Sequence, residues 1–283
     1  MKIGVTMFAT DQAIAPTDLA RAAEERGFHS LYLPEHTHIP TSRKTAPPTG
    51  DAELPDEYRR TLDPFVALGA AAAVTSCIRL GTGVCLIAQR DPIVTAKAAA
   101  TLDHISGGRL VLGIGYGWNR EEMRSHGVDP RVRRELVREK TLAMQRLWSA
   151  DEAAFSGAYV RFEASWSWPK PQQRPRPPVL LGGAAGPTLF AHIAEYGDGW
   201  MPIGGAGVSA ALPALHRAVA AAGRDPAKLV LVLLGTIPEP RKLDYYASIG
   251  VTEVALRLPP APADVVLRVL DDHARLCAPH LAR

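Results

Sequence analysis

Eight short apolar runs, each followed by a stretch of helical pattern, recur along the chain, and this alternation restricts the fold more than any other feature. Residues 2–8, 31–34, 78–88, 109–113, 179–181, 199–203, 229–234 and 253–258 read as strands. The helical stretches between and after them include 16–26, 63–75, 92–105, 131–148, 208–222, 241–249 and 263–277. Runs apolar throughout, rather than alternating, suit strands covered on both faces. Regular βα repetition over 283 residues predicts an α/β fold, a (β/α)8 TIM barrel, as one domain spanning residues 1–283. A doubly wound open sheet is the alternative. Residues 155–168 alternate and carry aromatics, which reads as a hairpin inserted before strand five.

Charge and composition exclude several classes of function. The formal net charge is only +3. The most basic segment, RVRRELVREK at 131–140, interleaves Glu135 and Glu139, so it reads as a solvated helix face and not as a nucleic-acid footprint. No apolar run approaches the ~20 residues of a membrane helix. Three cysteines (Cys77, Cys85 and Cys277) form no CxxC, which implies a reduced setting. Met1 leads straight into a strand without a secretion leader, so the expectation is a cytoplasmic protein.

In a barrel the reactive groups gather at the carboxyl ends of the strands. Strand two ends in Glu35 and His36; the imidazole can donate or accept a proton near neutrality, and the carboxylate can orient it. His36 and His38 also form an H-x-H, but no carboxylate or cysteine stands at ligand spacing, so no metal is expected. Residues 109–122, RLVLGIGYGWNREE, form an apolar strand that ends in alternate glycines, then Trp118 and Asn119. Glycines let a flat ligand approach the backbone; a tight strand-to-helix turn without ligand is the plainer reading. The GxGxG spacing fits a dinucleotide loop poorly. Trp118 and Trp200 stand at strand ends, where they wall a ring-shaped ligand or pack in the core. After strand five, Gly182-Gly183-Ala184-Ala185-Gly186 runs into Pro187-Thr188 at a helix start, which suits an anion such as phosphate.

Taken together, PEHTH, LGTGVCLIAQRDP, LDHISGGRLVLGIGYGWNREEM, LLGGAAGPT and GDGWMPI resemble the luciferase-like monooxygenases, above all the actinobacterial branch that uses the deazaflavin coenzyme F420. The resemblance covers residues 1 to about 205 in the family's order. It implies a β-bulge with a non-prolyl cis peptide at Gly83-Val84 beneath the central ring, with Leu86 on the same wall. It makes His36 the proton donor or base, with Glu35 beside it. Tyr116, Gly117 and Asn119 would line the pyrimidine side. Ala185, Gly186, Thr188 and Leu189 would receive the phosphate, and Gly183 is also expected to bind the cofactor. Sugar-phosphate dehydrogenase relatives place a catalytic glutamate where this chain has Trp118, so an apolar or aromatic substrate suits it better. The implied function is hydride transfer between F420 and a small organic substrate. The rivals are a two-component monooxygenase using reduced FMN and oxygen, a flavin-binding protein without turnover, and a phosphate-binding barrel isomerase or aldolase. A homodimer formed through the helices flanking strands two to four is expected, with a separate flavin or F420 reductase as a further partner and neither nucleic acid nor membrane.

Overall fold

A computed structural model describes residues 1–47, 50 and 53–281. The chain starts with β1 (Lys2–Thr6), α1 (Pro16–Glu25) and β2 (Ser30–Leu33), then follows a long loop containing a 3-10 turn at Asp56–Arg59. Residues 48, 49, 51 and 52 of that loop lie outside the described residues. There follow α2 (Pro64–Ala73), β3 (Arg79–Cys85), a 3-10 turn at Ile87–Gln89, α3 (Pro92–Ile105), β4 (Leu110–Ile114), α4 (Arg120–Ser125) and α5 (Arg133–Ser149). A hairpin, β5 (Glu152–Ser156) and β6 (Arg161–Trp166), precedes β7 (Val179–Gly182), α6 (Pro187–Tyr196), β8 (Gly199–Met201) and α7 (Val208–Ala221). The chain ends with β9 (Val230–Thr236), α8 (Pro240–Ser248), β10 (Glu253–Arg257), α9 (Ala263–Leu276) and α10 (Ala278–Leu281).

The strands close into a parallel barrel in the order β1-β10-β9-β8-β7-β4-β3-β2, which rules out the open-sheet alternative. The β5–β6 hairpin stands apart as an antiparallel pair, as the aromatic alternation predicts. Tyr32, Val111, Leu180, Met201, Val232, Leu234 and Ala255 fill the barrel interior. Burying each large apolar side chain there contributes about 1.5–3 kcal/mol. Local signals start the outer helices. Pro16, Pro64, Pro92, Pro187 and Pro240 each occupy a first helical position, where a missing N–H costs nothing. The Asp63 carboxylate caps α2 by accepting from the N–H groups of Phe65 and Val66 at 2.9 and 3.0 Å.

Several boundaries differ from the sequence reading, and two have a clear local cause. Strand three ends at Cys85 rather than Ala88, because the Leu86 N–H leaves the ladder for the Glu35 carboxylate. The helix read from residue 131 begins at Arg133, because Asp129 first draws the Arg131 N–H into a local turn at 2.9 Å.

Glu24, near the end of α1, ties the barrel's lower rim together. Its carboxylate accepts from the N–H groups of Ser76, Cys77 and Ile78 at 2.8–3.0 Å. Burial pushes this carboxyl up, but the three donors overcome it and hold the pKa at about 2 rather than 4.5. Because the folded value is depressed, the stabilisation is fully present above about pH 4.5 and disappears as pH falls towards 2. Urea unfolding should therefore show Glu24→Gln less stable than wild type at neutral pH, with the gap closing across that window.

Candidate active site

At the carboxyl end of the barrel, the ends of β1, β2, β3, β9 and β10, with Trp118 beyond β4, surround a cavity of about 180 Å³. Thr6, Met7, Phe8, Tyr58, Leu234, Leu258 and Pro260 give it mostly apolar walls. Of the expected site residues, Glu35, His36, Gly83, Val84, Leu86 and Trp118 line this cavity together. The Gly83–Val84 peptide is cis, and the β3–β4 register shifts between Thr82 and Cys85. Glycine at two facing positions makes room for Val84. A Cβ on Gly115 would lie 2.6 Å from Val84 Cγ2, and one on Gly182 would lie 2.9 Å from Val84 Cγ1.

His36 is buried and held from both sides. Its Nδ1 lies 2.7 Å from Glu122 Oε2, and the Trp118 indole N–H donates to its Nε2 at 3.2 Å. An acceptor at Nδ1 and a donor at Nε2 together select the tautomer protonated at Nδ1, leaving Nε2 as the basic nitrogen. Glu122 Oε1 accepts the Thr37 N–H at 3.1 Å, so the carboxylate fixes the loop as well as the ring. Tyr58 and Trp118 pack against the imidazole with ring centroids 5.2 and 5.5 Å away. His38 turns away, its Nδ1 3.0 Å from the Thr37 hydroxyl, and does not converge with His36.

Glu35 is not the partner of His36. Its carboxylate accepts from the Leu86 N–H at 2.7 Å and from Arg90 Nε at 2.6 Å, and Arg90 also pairs with Asp63 at 2.5 Å. These contacts anchor the end of β3 to the β2 loop. The orienting role read for Glu35 falls instead to Glu122, 86 residues along the chain. A local signal for Glu122 did exist. Asn119 caps α4 through Oδ1 to the Glu122 N–H at 3.3 Å, the N-x-x-E spacing of a capping box. In a capping box the glutamate returns to the cap; here it reaches across the barrel mouth.

The remaining expected residues surround the ends of β4 and β7. Tyr116 approaches Gly183 and Leu189: a Cβ on Gly183 would meet Leu189 at 3.8 Å and the Tyr116 ring at 3.9 Å. Gly117 and Gly183 adopt φ of 78° and 142°, a region that favours glycine. The Tyr116 hydroxyl lies 2.8 Å from His192 Nδ1. Burial pushes the Tyr116 pKa up to about 12 and lowers that of His192, so both are neutral at physiological pH. Trp200 is core rather than wall, and its indole N–H donates to the Gly183 carbonyl at 2.9 Å, which steadies the loop. Ala185 and Gly186 line an outer groove between α6 and α7 rather than the central cavity. Thr188 follows at the second position of α6.

Two buried amides stand out. Gln89 Nε2 and Oε1 and Asn119 Nδ2 have no partner among the described residues. A Cβ on Gly117 would lie 3.8 Å from Gln89 Nε2, which places this amide beside the glycine turn after β4. Buried amides normally find partners, so polar atoms left open here suit a ligand that carries carbonyl and N–H groups. Gln89 had no distinguishing sequence signal.

Known proteins share sequence and fold with this chain. The family model for luciferase-like monooxygenases matches residues 9–237. An uncharacterized protein of Mycobacterium tuberculosis is 48% identical over 93% of this chain and 94% of its own length. The F420-dependent hydroxymycolic acid dehydrogenase of the same species is 31% identical over 78% of this chain and 57% of its own length. In structure, the monooxygenase RslO1 from Streptomyces bottropensis superposes with a TM-score of 0.81 at 23% identity, covering 99% of each chain. The chain belongs to the luciferase-like monooxygenase family.

Proposed function

We propose that this protein is an oxidoreductase that passes hydride between coenzyme F420 and an apolar organic carbonyl or alcohol. The observation that carries the reading is the fixed imidazole of His36, poised between Glu122 and Trp118 over a cavity with apolar walls. The F420-dependent relative at 31% identity supports the choice of coenzyme. The residues fit such a group. The open amides of Gln89 and Asn119 suit the pyrimidine edge, and the Gly83–Val84 bulge offers a flat seat. Tyr116, expected from the sequence on the pyrimidine side, instead stands beside Gly183 and Leu189, so these residues and Thr188 would hold the phosphate end, with α6 directing its positive pole there. The coenzyme would supply hydride chemistry; the protein supplies position and a proton. His36 Nε2, the basic nitrogen, would take the proton of an alcohol once the Trp118 N–H yields to it, with Glu122 stabilising the imidazolium; in the reverse direction that imidazolium would give the proton to a carbonyl oxygen and return to the neutral ring. Phe8, Tyr58 and Trp118 would keep water from the reacting face.

The test is anaerobic mixing of the protein with reduced F420 and a panel of medium-chain ketones. Oxidation of the coenzyme without oxygen is the expected result. Turnover that requires FMN and oxygen would overturn the reading in favour of a two-component monooxygenase, for which a separate flavin reductase would be the partner.

We also propose a homodimer through α2 and α3, which flank β2–β4 and leave Val66, Ile93, Val94 and Ile105 exposed. Light scattering should report twice the chain mass, and Val66→Glu with Val94→Glu should reduce it to a monomer. Among the described residues no helix is long and apolar enough to cross a membrane. With three free cysteines, we place the protein in the cytoplasm.

A further inference from the structure

A basin of about 620 Å³ opens where α4 and α5 begin, walled by Arg120, Arg124, Arg131 and Arg133 with Asp129 between them. The sequence suggests only a solvated helix face for 131–140, yet Arg120 and Arg124 arrive from a different helix. Asp129 does little to neutralise the basin, because both its oxygens accept from the Arg131 guanidinium at 2.7–3.1 Å. Among the described residues Arg120, Arg124 and Arg133 form no ion pair. Arg133 donates from Nη1 to the Pro130 carbonyl at 2.6 Å and keeps a buried Nε that has no acceptor among the described residues. Burial, then the neighbouring Arg134 and Arg120, disfavour its charge. Like charges gathered around a basin make a field that an anion relieves.

The helix that contributes Arg133 to the basin also reaches the candidate site. Arg134, next along α5, lies over the Tyr116 ring at 5.8 Å from its centroid. Tyr116 in turn bonds His192 on α6, the helix whose start is the expected phosphate position. A chain leaving that phosphate past Tyr116 would meet the arginines. We propose that the basin holds the carboxylate-bearing tail of the deazaflavin coenzyme, the part that continues beyond the phosphate and that FMN lacks. The inference rests on the F420 reading above. Guanidinium groups suit it, since each grips a carboxylate through two parallel N–H donors.

The test is a fluorescence titration of coenzyme-free protein with F420 bearing one glutamate, F420 bearing several, and FMN. It would be run on wild type, Arg120→Gln/Arg133→Gln and the exposed pair Arg120→Gln/Arg124→Gln. Circular dichroism would verify folding of each variant. The long-tailed form should bind wild type about fivefold or more tightly than the short one, the size expected of one or two partly exposed charge pairs. That advantage should shrink with added salt and vanish in both variants, while the affinity for FMN stays constant. Equal affinity for long and short tails in wild type, or an advantage that survives in both variants, would overturn the tail site and leave the coenzyme reading standing. Failure of either F420 form to bind while FMN saturates the protein would overturn both.

Discussion

Replacing His36 with asparagine should lower the rate of coenzyme turnover by about 10²–10⁴-fold, the usual contribution of a positioned acid or base. Coenzyme affinity should change little, because the residues expected to hold the ring and phosphate lie on β3, in the segments that follow β3, β4 and β7, and at the start of α6. Glu122→Gln tests the same arrangement from behind the ring. The amide can still accept the Nδ1–H through its oxygen, but it no longer offsets a developing imidazolium charge, so a fall of about a hundredfold is expected. Glu122→Ala should go further and cost stability. It leaves the His36 Nδ1–H and the Thr37 N–H, which Glu122 accepts at 3.1 Å, without their acceptor. Each such loss costs about 1–3 kcal/mol. Nitrogen NMR of the imidazole gives an independent readout: wild type should show Nδ1 protonated, and Glu122→Ala should lose that preference. Full activity in His36→Asn would remove this residue from the mechanism.

The largest effect on stability should come from Gly199→Ala. Gly199 pairs with Val230 where β8 meets β9, and an added Cβ would sit 1.9 Å from the Val230 carbonyl oxygen and 2.7 Å from its carbon. Both atoms are backbone within a closed barrel, so neither can yield without opening the ladder. A loss above about 4–5 kcal/mol is expected, enough to abolish soluble expression in a protein of ordinary stability. Gly69→Ala is the contrast. Gly69 lies within α2 and its added Cβ would meet nothing within 4 Å. Relief of chain entropy should then stabilise the protein by about 0.4–1 kcal/mol. Thermal unfolding of the two variants beside wild type separates close packing from backbone freedom; comparable melting temperatures for both would refute the packing argument.

The barrel was legible because its determinants are local. Strands buried on both faces read as plain apolar runs, and proline at helix starts with Asp63 as a cap marks where each helix begins. His36 was legible for a similar reason: it follows a strand at the end where barrel chemistry collects. Its partner was not. Glu35 and Glu122 are both acidic residues close to a strand end, and only the closed barrel decides which reaches the imidazole. Arg90 settles it by engaging Glu35, and no spacing in the sequence announces a pairing across 55 residues. Gln89 was hidden in the same way, since its amide became informative only when burial left it without a partner. The glycine run at the start of α6 was legible, but not that Ala185 and Gly186 would face the groove between α6 and α7.

The most direct measurement is a crystal structure of the protein with oxidised F420 bound. The account predicts the ring against the Gly83–Val84 bulge, one face towards His36, its pyrimidine edge on Gln89 and Asn119, and its phosphate at the start of α6. A ring bound elsewhere, or a barrel mouth that stays closed to the coenzyme at saturation, would contradict it.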